Sequence, residues 1–388
     1  MKLSVGFYLG RPERSARLAR DLAARGIDVA HYNRVDVAGE PVVHVGKGFA
    51  RAVTRVLRTP HDVYCTGLTY VPSLALYANR RLRGKPYVFN ATAAHWEMFR
   101  DRARKRRFAS LFERRLHPFF LELTFAGASR IVCNSRFLEA RIAERYPHHA
   151  ERLSTVYNGI DFEKYAGGRR QSLIGVSPGD FVVLCVTTLN YGRKSAGLAL
   201  VLQAFDLIRS AEPRAKLVIA AKSASPLYET WATELVRAKG LDGDVVVYFN
   251  HPSIQDLLAS ADLFVYATPN DSNDSLPRAL IEAQTAGLAA VTTDTSGCPE
   301  IVRNGETGRV VPYRAEAMAE AMLTLMGDAE TRRQMAQRAA IAVREVFSWD
   351  RMADSYATTF YEVSAMSPPA VRTVDLPRRS PRQRSAAA

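Results

Sequence analysis

The chain has 388 residues, 47% of them apolar and 24% charged, which is enough for two domains with separate cores and marks it as globular. No stretch approaches the roughly 20 uninterrupted apolar residues of a membrane span, and Met1 to Tyr8 reads as a first strand instead of a signal peptide, so the expected location is the cytoplasm. The formal charge of +14 is concentrated: residues 1–165 hold 29 Lys or Arg against 15 Asp or Glu, while residues 166–388 hold 24 of each.

The first half alternates strand and helix signals. Lys2 to Leu9 is a strand, Arg14 to Arg25 a helix ended by Gly26, and Asp28 to Tyr32 a second strand. Val63 to Thr66, Ser73 to Arg83 and Pro86 to Asn90 repeat strand, helix and strand. Further on come the strand Arg130 to Cys133, the helix Arg136 to Arg145 and the strand Ser154 to Tyr157. Such alternation predicts a parallel sheet with helices on both faces. No Gly-x-Gly-x-x-Gly follows the first strand, and no phosphate-binding loop ends in Gly-Lys-Ser/Thr, so the usual nicotinamide, flavin and nucleotide-triphosphatase fingerprints are absent. Gly6, Gly10 and a helix start near Glu13 form a weaker signal that suits any Rossmann-like turn, with Gly10 as a candidate ligand contact. Cys65, Cys133, Cys185 and Cys298 lack paired metal-ligand spacing and read as reduced structural thiols; Cys298, after a glycine in a loop, is a candidate to line a site.

The densest basic stretch, Arg100-Asp-Arg-Ala-Arg-Lys-Arg-Arg107, precedes Phe108, Leu111, Phe112, Leu116, Phe119 and Phe120. As a helix it sets cations beside an aromatic stripe, the pattern of a segment lying on an anionic membrane surface. A solvated basic face over an ordinary core stripe gives the same pattern. No zinc pattern, RNA-binding aromatic signature or recognition helix accompanies it, so nucleic acid is not an expected partner.

Asn158-Gly159 reads as a sharp turn and Ala166-Gly-Gly-Arg-Arg170 as a linker, after which the pattern starts again. Phe181 to Thr187, Ala215 to Ala221 and Val245 to Phe249 are strands; Ala196 to Arg209, Tyr228 to Lys239 and the short Ser253 to Ser260 are helices. Ala261 to Thr268 is a buried strand and Pro269 to Asp274 a loop. The next helix has Asp274 or Ser275 as its cap, Pro277 in its first turn and Gly287 as its stop before the strand Ala289 to Thr292. Its first amides, near Ser275 and Leu276, then lie at the carboxyl end of a parallel strand, where an open α/β sheet binds an anion, most often a nucleotide diphosphate.

Asp274 and Glu282 are separated by about 12 Å in a helix, too far for one carboxylate pair. They suit two parts of one extended ligand, a ribose diol at Glu282 and a sugar hydroxyl near Asp274. The plain alternative gives Asp274 to capping and Glu282 to a solvated helix face. Asp271-Ser-Asn273-Asp274 offers the oxygen ligands of a magnesium site and equally those of a capping loop. Helices Ala315 to Met326 and Glu330 to Val346 follow, then Ser348-Trp349-Asp350 and a last helix to about Ala365. The expected division is a first domain over 1–165, a second over 166–347, a helix over 348–365 packing back toward the first, and a disordered basic tail over 366–388.

Together these runs resemble glycosyltransferase family 4, the retaining sugar-nucleotide enzymes of GT-B fold, over roughly residues 1–365. The likeness is strongest in Asp262-Leu-Phe-Val-Tyr-Ala-Thr-Pro, Asp294-Thr-Ser-Gly-Cys-Pro-Glu-Ile-Val302 and Asn304-Gly-Glu-Thr-Gly308. In that family the central run reads Glu-Gly-Leu-Pro-x-x-Leu-x-Glu-Ala-Met; Glu282 matches its second Glu and Asp274 stands where the first belongs. Val156-Tyr-Asn158-Gly159-Ile-Asp161 is similar to the domain junction, and Ile131-Val-Cys-Asn134-Ser135 to the strand end before it.

Two stretches depart from the family pattern. The Gly-Arg-Leu and downstream Lys that bind the donor diphosphate correspond to Thr187-Thr188-Leu189-Asn190-Tyr-Gly-Arg193-Lys194: Lys194 matches the Lys, Thr188 replaces the Arg, and Arg193 is the candidate to supply the missing charge. The strand-end His that approaches the donor sugar aligns with Thr92, and His95 lies three residues beyond.

The resemblance implies a GT-B architecture of two Rossmann-like, doubly wound parallel-sheet domains facing across a cleft. It implies transfer of a sugar from a nucleoside diphosphate sugar, with Asp274, Lys194 and His95 as the candidate catalytic residues and Glu282, Arg193, Asn190, Ser275, Leu276 and Gly10 as candidate donor contacts. It implies no metal and no cofactor beyond the donor substrate. The acceptor expected is a glycan, a lipid-linked hydroxyl or a small molecule; in the lipid-linked case the charge pattern sets the basic first domain against the anionic inner face of the cell membrane, and a soluble acceptor is the alternative. A degenerate, non-catalytic binding protein and a sugar-nucleotide epimerase of the same fold are the competing readings.

Overall fold

The computed structural model describes residues 2–8, 12–33, 42–44, 54, 58–67, 71–92, 111–189, 192–223, 225–269 and 274–365. Two parallel sheets account for the strands of these residues. The first takes β1 (Leu3–Tyr8), β2 (Ile27–Asn33), β3 (Val42–His44), β4 (Val63–Thr66), β5 (Tyr87–Ala91), β6 (Arg130–Cys133) and β7 (Leu153–Thr155) in the order β3-β2-β1-β4-β5-β6-β7. Parallel neighbours need crossovers, which α1 (Pro12–Ala23), α2 (Val71–Arg83), α3 (Leu111–Gly127) and α4 (Arg136–Arg145) supply. The strands are correspondingly apolar on both faces: all four residues of β4 are buried.

A short helix, α5 (Phe162–Ala166), leads into the second sheet. Its strands are β8 (Phe181–Thr188), β9 (Ala215–Lys222), β10 (Val245–Phe249), β11 (Leu263–Tyr266), β12 (Ala290–Thr293) and β13 (Gly308–Val311), in the order β10-β9-β8-β11-β12-β13. Counted from the start of each half, both sheets run 3-2-1-4-5-6, and the first adds a seventh strand. In each, the order reverses between the first and fourth strand, so a ligand crevice is expected outside the carboxyl ends of β1 and β4 and of β8 and β11.

The second sheet is covered on both faces. Val183 and Cys185 face a layer that includes Phe205 of α6 (Gly192–Ile208), Val236 of α7 (Pro226–Ala238) and Met322 of α10 (Ala315–Gly327). Val182 and Leu184 face the other, with Leu257 of α8 (Ile254–Ala259), Leu280 of α9 (Arg278–Thr285) and Val343 of α11 (Ala329–Val346). The period of two along β8 thus divides one strand between two cores.

The last helix, α12 (Trp349–Ala365), leaves the second sheet and packs on the first. Met352, Ala353, Tyr356, Phe360 and Val363 recur at helical spacing and lie among Val5, Phe7, Leu18 and Leu22. Arg25 fixes the outer side, with Nε 2.6 Å from Asp354 and Nη2 3.3 Å from Asp350.

Two sequence expectations change here. The stretch 166–170 is docked on the second half: Arg169 N donates to Asp256 Oδ1 at 2.8 Å, and Gln171 N to Ser260 Oγ at 2.9 Å. Gly159 serves close packing, because a Cβ there would lie 2.7 Å from the Trp349 ring. The basic run 100–107 and the tail 366–388 lie outside the described residues.

Candidate functional site

At the carboxyl end of β8, Leu189 N still bonds to Lys222 O at 2.8 Å, and α6 begins at Gly192. The first turn of that helix carries Arg193 and Lys194. Asn190 lies outside the described residues, as do the side chains of Arg193 and Lys194. A Cβ on Gly197 would sit 2.0 Å from Ala267 O, so α6 presses against the exit of β11. The start of α6 and the loop before α9 consequently share one rim, at the point where the strand order reverses.

The loop before α9 is held differently from the expected cap. Asp274 accepts a hydrogen bond at Oδ2 from the hydroxyl of Tyr266, the last residue of β11. Burial and the facing Asp274 hold that phenol well above its ordinary value, so it stays a donor. Ser275 Oγ lies 2.9 Å from Asn134 Oδ1 and 3.3 Å from Thr92 O, both at strand ends of the first sheet. With both side chains committed elsewhere, α9 starts at Arg278, its N-cap is Pro277, and no side chain caps it. Leu276 is buried in the core, which leaves its backbone as the part a ligand can reach.

Glu282 does not occupy a solvated face. Its side chain is 14% exposed, and Oε1 accepts from Tyr165 Oη at 2.9 Å while facing Arg278 Nη2 at 3.3 Å. Burial pushes its carboxyl above the usual value, against the opposing pull of Arg278, Tyr165 and Lys164. Both contacts land on Oε1, so Oε2 retains acceptor capacity for a ligand hydroxyl.

The loop after β12 completes the rim. Gly297 is required where it stands, since a Cβ there would lie 2.0 Å from Ser275 O. Ser296 beside it adopts a left-handed φ of 54°, unusual for a residue with a side chain. Cys298 does not line the site: it is fully buried and burial pushes its thiol up to about 12. Glu300 reaches into the first half, where Arg136 N and Tyr157 Oη donate to Oε2 at 2.8 and 2.7 Å and Phe137 N donates to Oε1 at 2.7 Å.

The first half contributes Thr92 and Asn134 to this meeting of strand ends. His95 and Gly10 lie outside the described residues. Gly6 has a packing reason instead of a phosphate-loop one, since a Cβ there would be 2.8 Å from the His61 ring. Among the described residues, Glu122, His148 and His149 bring ligating atoms within 4.8 Å of one another. His149 Nδ1 faces Arg152 Nη2, which only donates, so the neutral ring carries its proton on Nε2 and gives it to Glu122. A metal needs that nitrogen bare and a second-shell acceptor at Nδ1, which a guanidinium does not provide. The trio is a hydrogen-bonded cluster beside β7's start, at the opposite end of the sheet from the cleft.

Two Rossmann-like sheets whose strand ends meet through Ser275, Asn134 and Glu300 define the GT-B class of glycosyltransferase fold. Solved structures agree: a glycosyltransferase from Rickettsia africae covers 94% of this chain and 100% of its own at 13% identity and a TM-score of 0.72. Anabaena HepE in complex with UDP and glucose covers 93% and 100% at 18% identity and 0.67. Residues 6–164 match the model of Glycosyltransferase Family 4 and residues 175–341 that of Glycosyl transferases group 1. The chain belongs to glycosyltransferase family 4. A D-inositol 3-phosphate glycosyltransferase of Nocardia farcinica is 30% identical over 250 residues, 61% of this chain and 54% of the relative. The chain spans about half the length of the curated relatives it matches.

Tyr165, Tyr266, Asn134, Tyr157 and Glu300 are the site residues that sequence reasoning did not single out as candidates. Glu300 stood inside a quoted motif, and its acid at a loop end was the available signal. Tyr157 and Tyr266 also stood inside family-like runs, but a core tyrosine and a tyrosine aimed at a carboxylate look alike in sequence, and Tyr165 carried no signal.

Proposed function

We propose that this protein transfers a sugar, with retained anomeric configuration, from a nucleoside diphosphate sugar held by the second half to a hydroxyl acceptor held by the first. The observation that carries this reading is Glu282: a mostly buried carboxylate on α9, the helix that follows β11, aimed by Tyr165 and with Oε2 left to accept from a ribose diol. Binding of UDP and glucose by a protein of the same fold supports a nucleotide-sugar donor.

In the transfer, Lys194 and Arg193 at the start of α6 offset charge growing on the departing diphosphate, joined by Asn190 and the amides at Ser275 and Leu276. Asp274, steadied by Tyr266, accepts from a sugar hydroxyl, with His95 or Thr92 closing the site from the first half. The acceptor attacks from the face the phosphate leaves, and the phosphate takes its proton. No metal enters this scheme. The excess cations of the first half suit an acceptor at an anionic membrane face, such as a lipid-linked precursor of an envelope polysaccharide. Among the described residues no helix is long and apolar enough to cross a membrane.

The test is nucleotide release from UDP-, GDP- and ADP-sugars without added metal, with the anomer of the sugar product read by NMR. One donor released with retained configuration is the expected result. Binding without turnover favours the non-catalytic reading, and an epimerised donor favours the epimerase.

A further inference from the structure

Glu300 lies in the second half, but the three hydrogen bonds described for its carboxylate come from Arg136 N, Phe137 N and Tyr157 Oη, at 2.8, 2.7 and 2.7 Å. Arg136 and Phe137 open α4, a ten-residue helix whose first amides have no partner within the helix. The side chain of its own cap, Ser135, accepts from Leu138 N, at 3.1 Å, and leaves the first two amides to Glu300. The carboxylate therefore completes the helix start from across the domain boundary, where the helix dipole favours negative charge. Tyr157 adds the crossover segment, its ring packed 5.2 Å from Phe347.

The same segment forms the rim of the donor site. Three residues before Glu300, Gly297 is pressed against Ser275 O, and Ser275 Oγ meets Asn134 Oδ1 at 2.9 Å. Both tethers thus reach the stretch 134–137, Ser275 through Asn134 and Glu300 through Arg136 and Phe137. Resting on the transfer reading above, we propose that Glu300 is a positioning residue: its carboxylate holds the acceptor half against the donor loop in the arrangement transfer requires, without contributing to donor affinity.

Glu300→Gln keeps the size but replaces one accepting oxygen with an NH₂ donor, which cannot accept from the α4 amides or Tyr157. Spin labels at Leu82→Cys and Leu227→Cys, both exposed and one in each half, report the separation, since the four native cysteines are buried. The distance distribution should broaden in Glu300→Gln and, to a smaller degree, in Tyr157→Phe, with circular dichroism confirming a folded chain. In donor hydrolysis the loss should appear in kcat, about 10-fold, with donor KM within about two-fold. A distribution identical to wild type in both variants, or a raised KM at unchanged kcat, would overturn the proposal. Neither distance result depends on nucleotide binding, so a wild-type protein that binds no UDP, GDP or ADP sinks the transfer reading instead.

Discussion

The two halves of this molecule share a strand order and differ at the carboxyl ends of their strands. In the second half, the segment that follows β11 carries a mostly buried acid aimed by a tyrosine and an acid steadied by another, and a glycine after β12 is pressed against the chain between them. In the first half, Gly6 within β1 makes room for His61, and the strand ends supply Thr92 and Asn134 to the partner sheet. Charge divides the same way, with all of the net excess before residue 166. One topology therefore offers two crevices, and the function proposed above assigns the second to the nucleotide and the first to the acceptor.

The largest effect should come from the acid that most distinguishes the halves. Glu282→Ala should weaken donor binding about 100-fold, the scale of losing two hydrogen bonds to a charged group, and calorimetry checks it. An unchanged affinity would remove the second half's claim to the nucleotide. Next is Gly297→Ala, whose Cβ would meet Ser275 O at 2.0 Å. Denaturant unfolding should show a loss of about 1–3 kcal/mol, whereas Gly243→Ala in the same half, with nothing within 4 Å, should change it by less than about 1 kcal/mol.

A smaller effect sharpens the assignment by pH. Burial raises the Glu282 carboxyl in the folded chain above its ordinary 4.5. A raised acid favours the folded state while protonated, so its contribution is fully present below the unfolded value and is lost as pH rises through the folded one. Glu282→Gln cannot ionise, so its melting temperature should gain on wild type as pH goes from about 4 to about 8, while donor binding is weakened. A gap that stays constant across that range would mean that the carboxylate is not strained by burial. The smallest effect concerns the charge asymmetry: reversing the charges of Arg102 to Arg107 should reduce co-sedimentation with anionic vesicles and leave nucleotide binding intact. Indifference of vesicle binding would assign that run to a solvated face.

Most of the architecture was legible because a parallel α/β chain writes its periods locally. Val63–Thr66, Arg130–Cys133 and Val245–Phe249 have the same bounds in sequence and structure. The strand β3, three residues long, was too short to register a period, and β13, as long as β4, opens on a glycine after Asn304-Gly-Glu-Thr, which reads as a turn. Glu282 was legible through its spacing in a known motif, but its burial was not, because Tyr165 lies 117 residues away. The cap expected from Asp274 or Ser275 failed for a related reason: local helix chemistry lost to Tyr266 at the end of β11 and Asn134 just beyond β6. Glu300 was the least legible, since what it binds are backbone amides 163 and 164 residues earlier, and an amide has no signature in sequence.

The assignment of the donor to the second half is tested most directly by hydrogen exchange of the intact protein with and without whichever of UDP, GDP and ADP stabilises it most. Protection should gather at the start of α6, over 274–285 and over 294–300. Protection at the ends of β1 and β4 instead, or none with any of the three nucleotides, would contradict it.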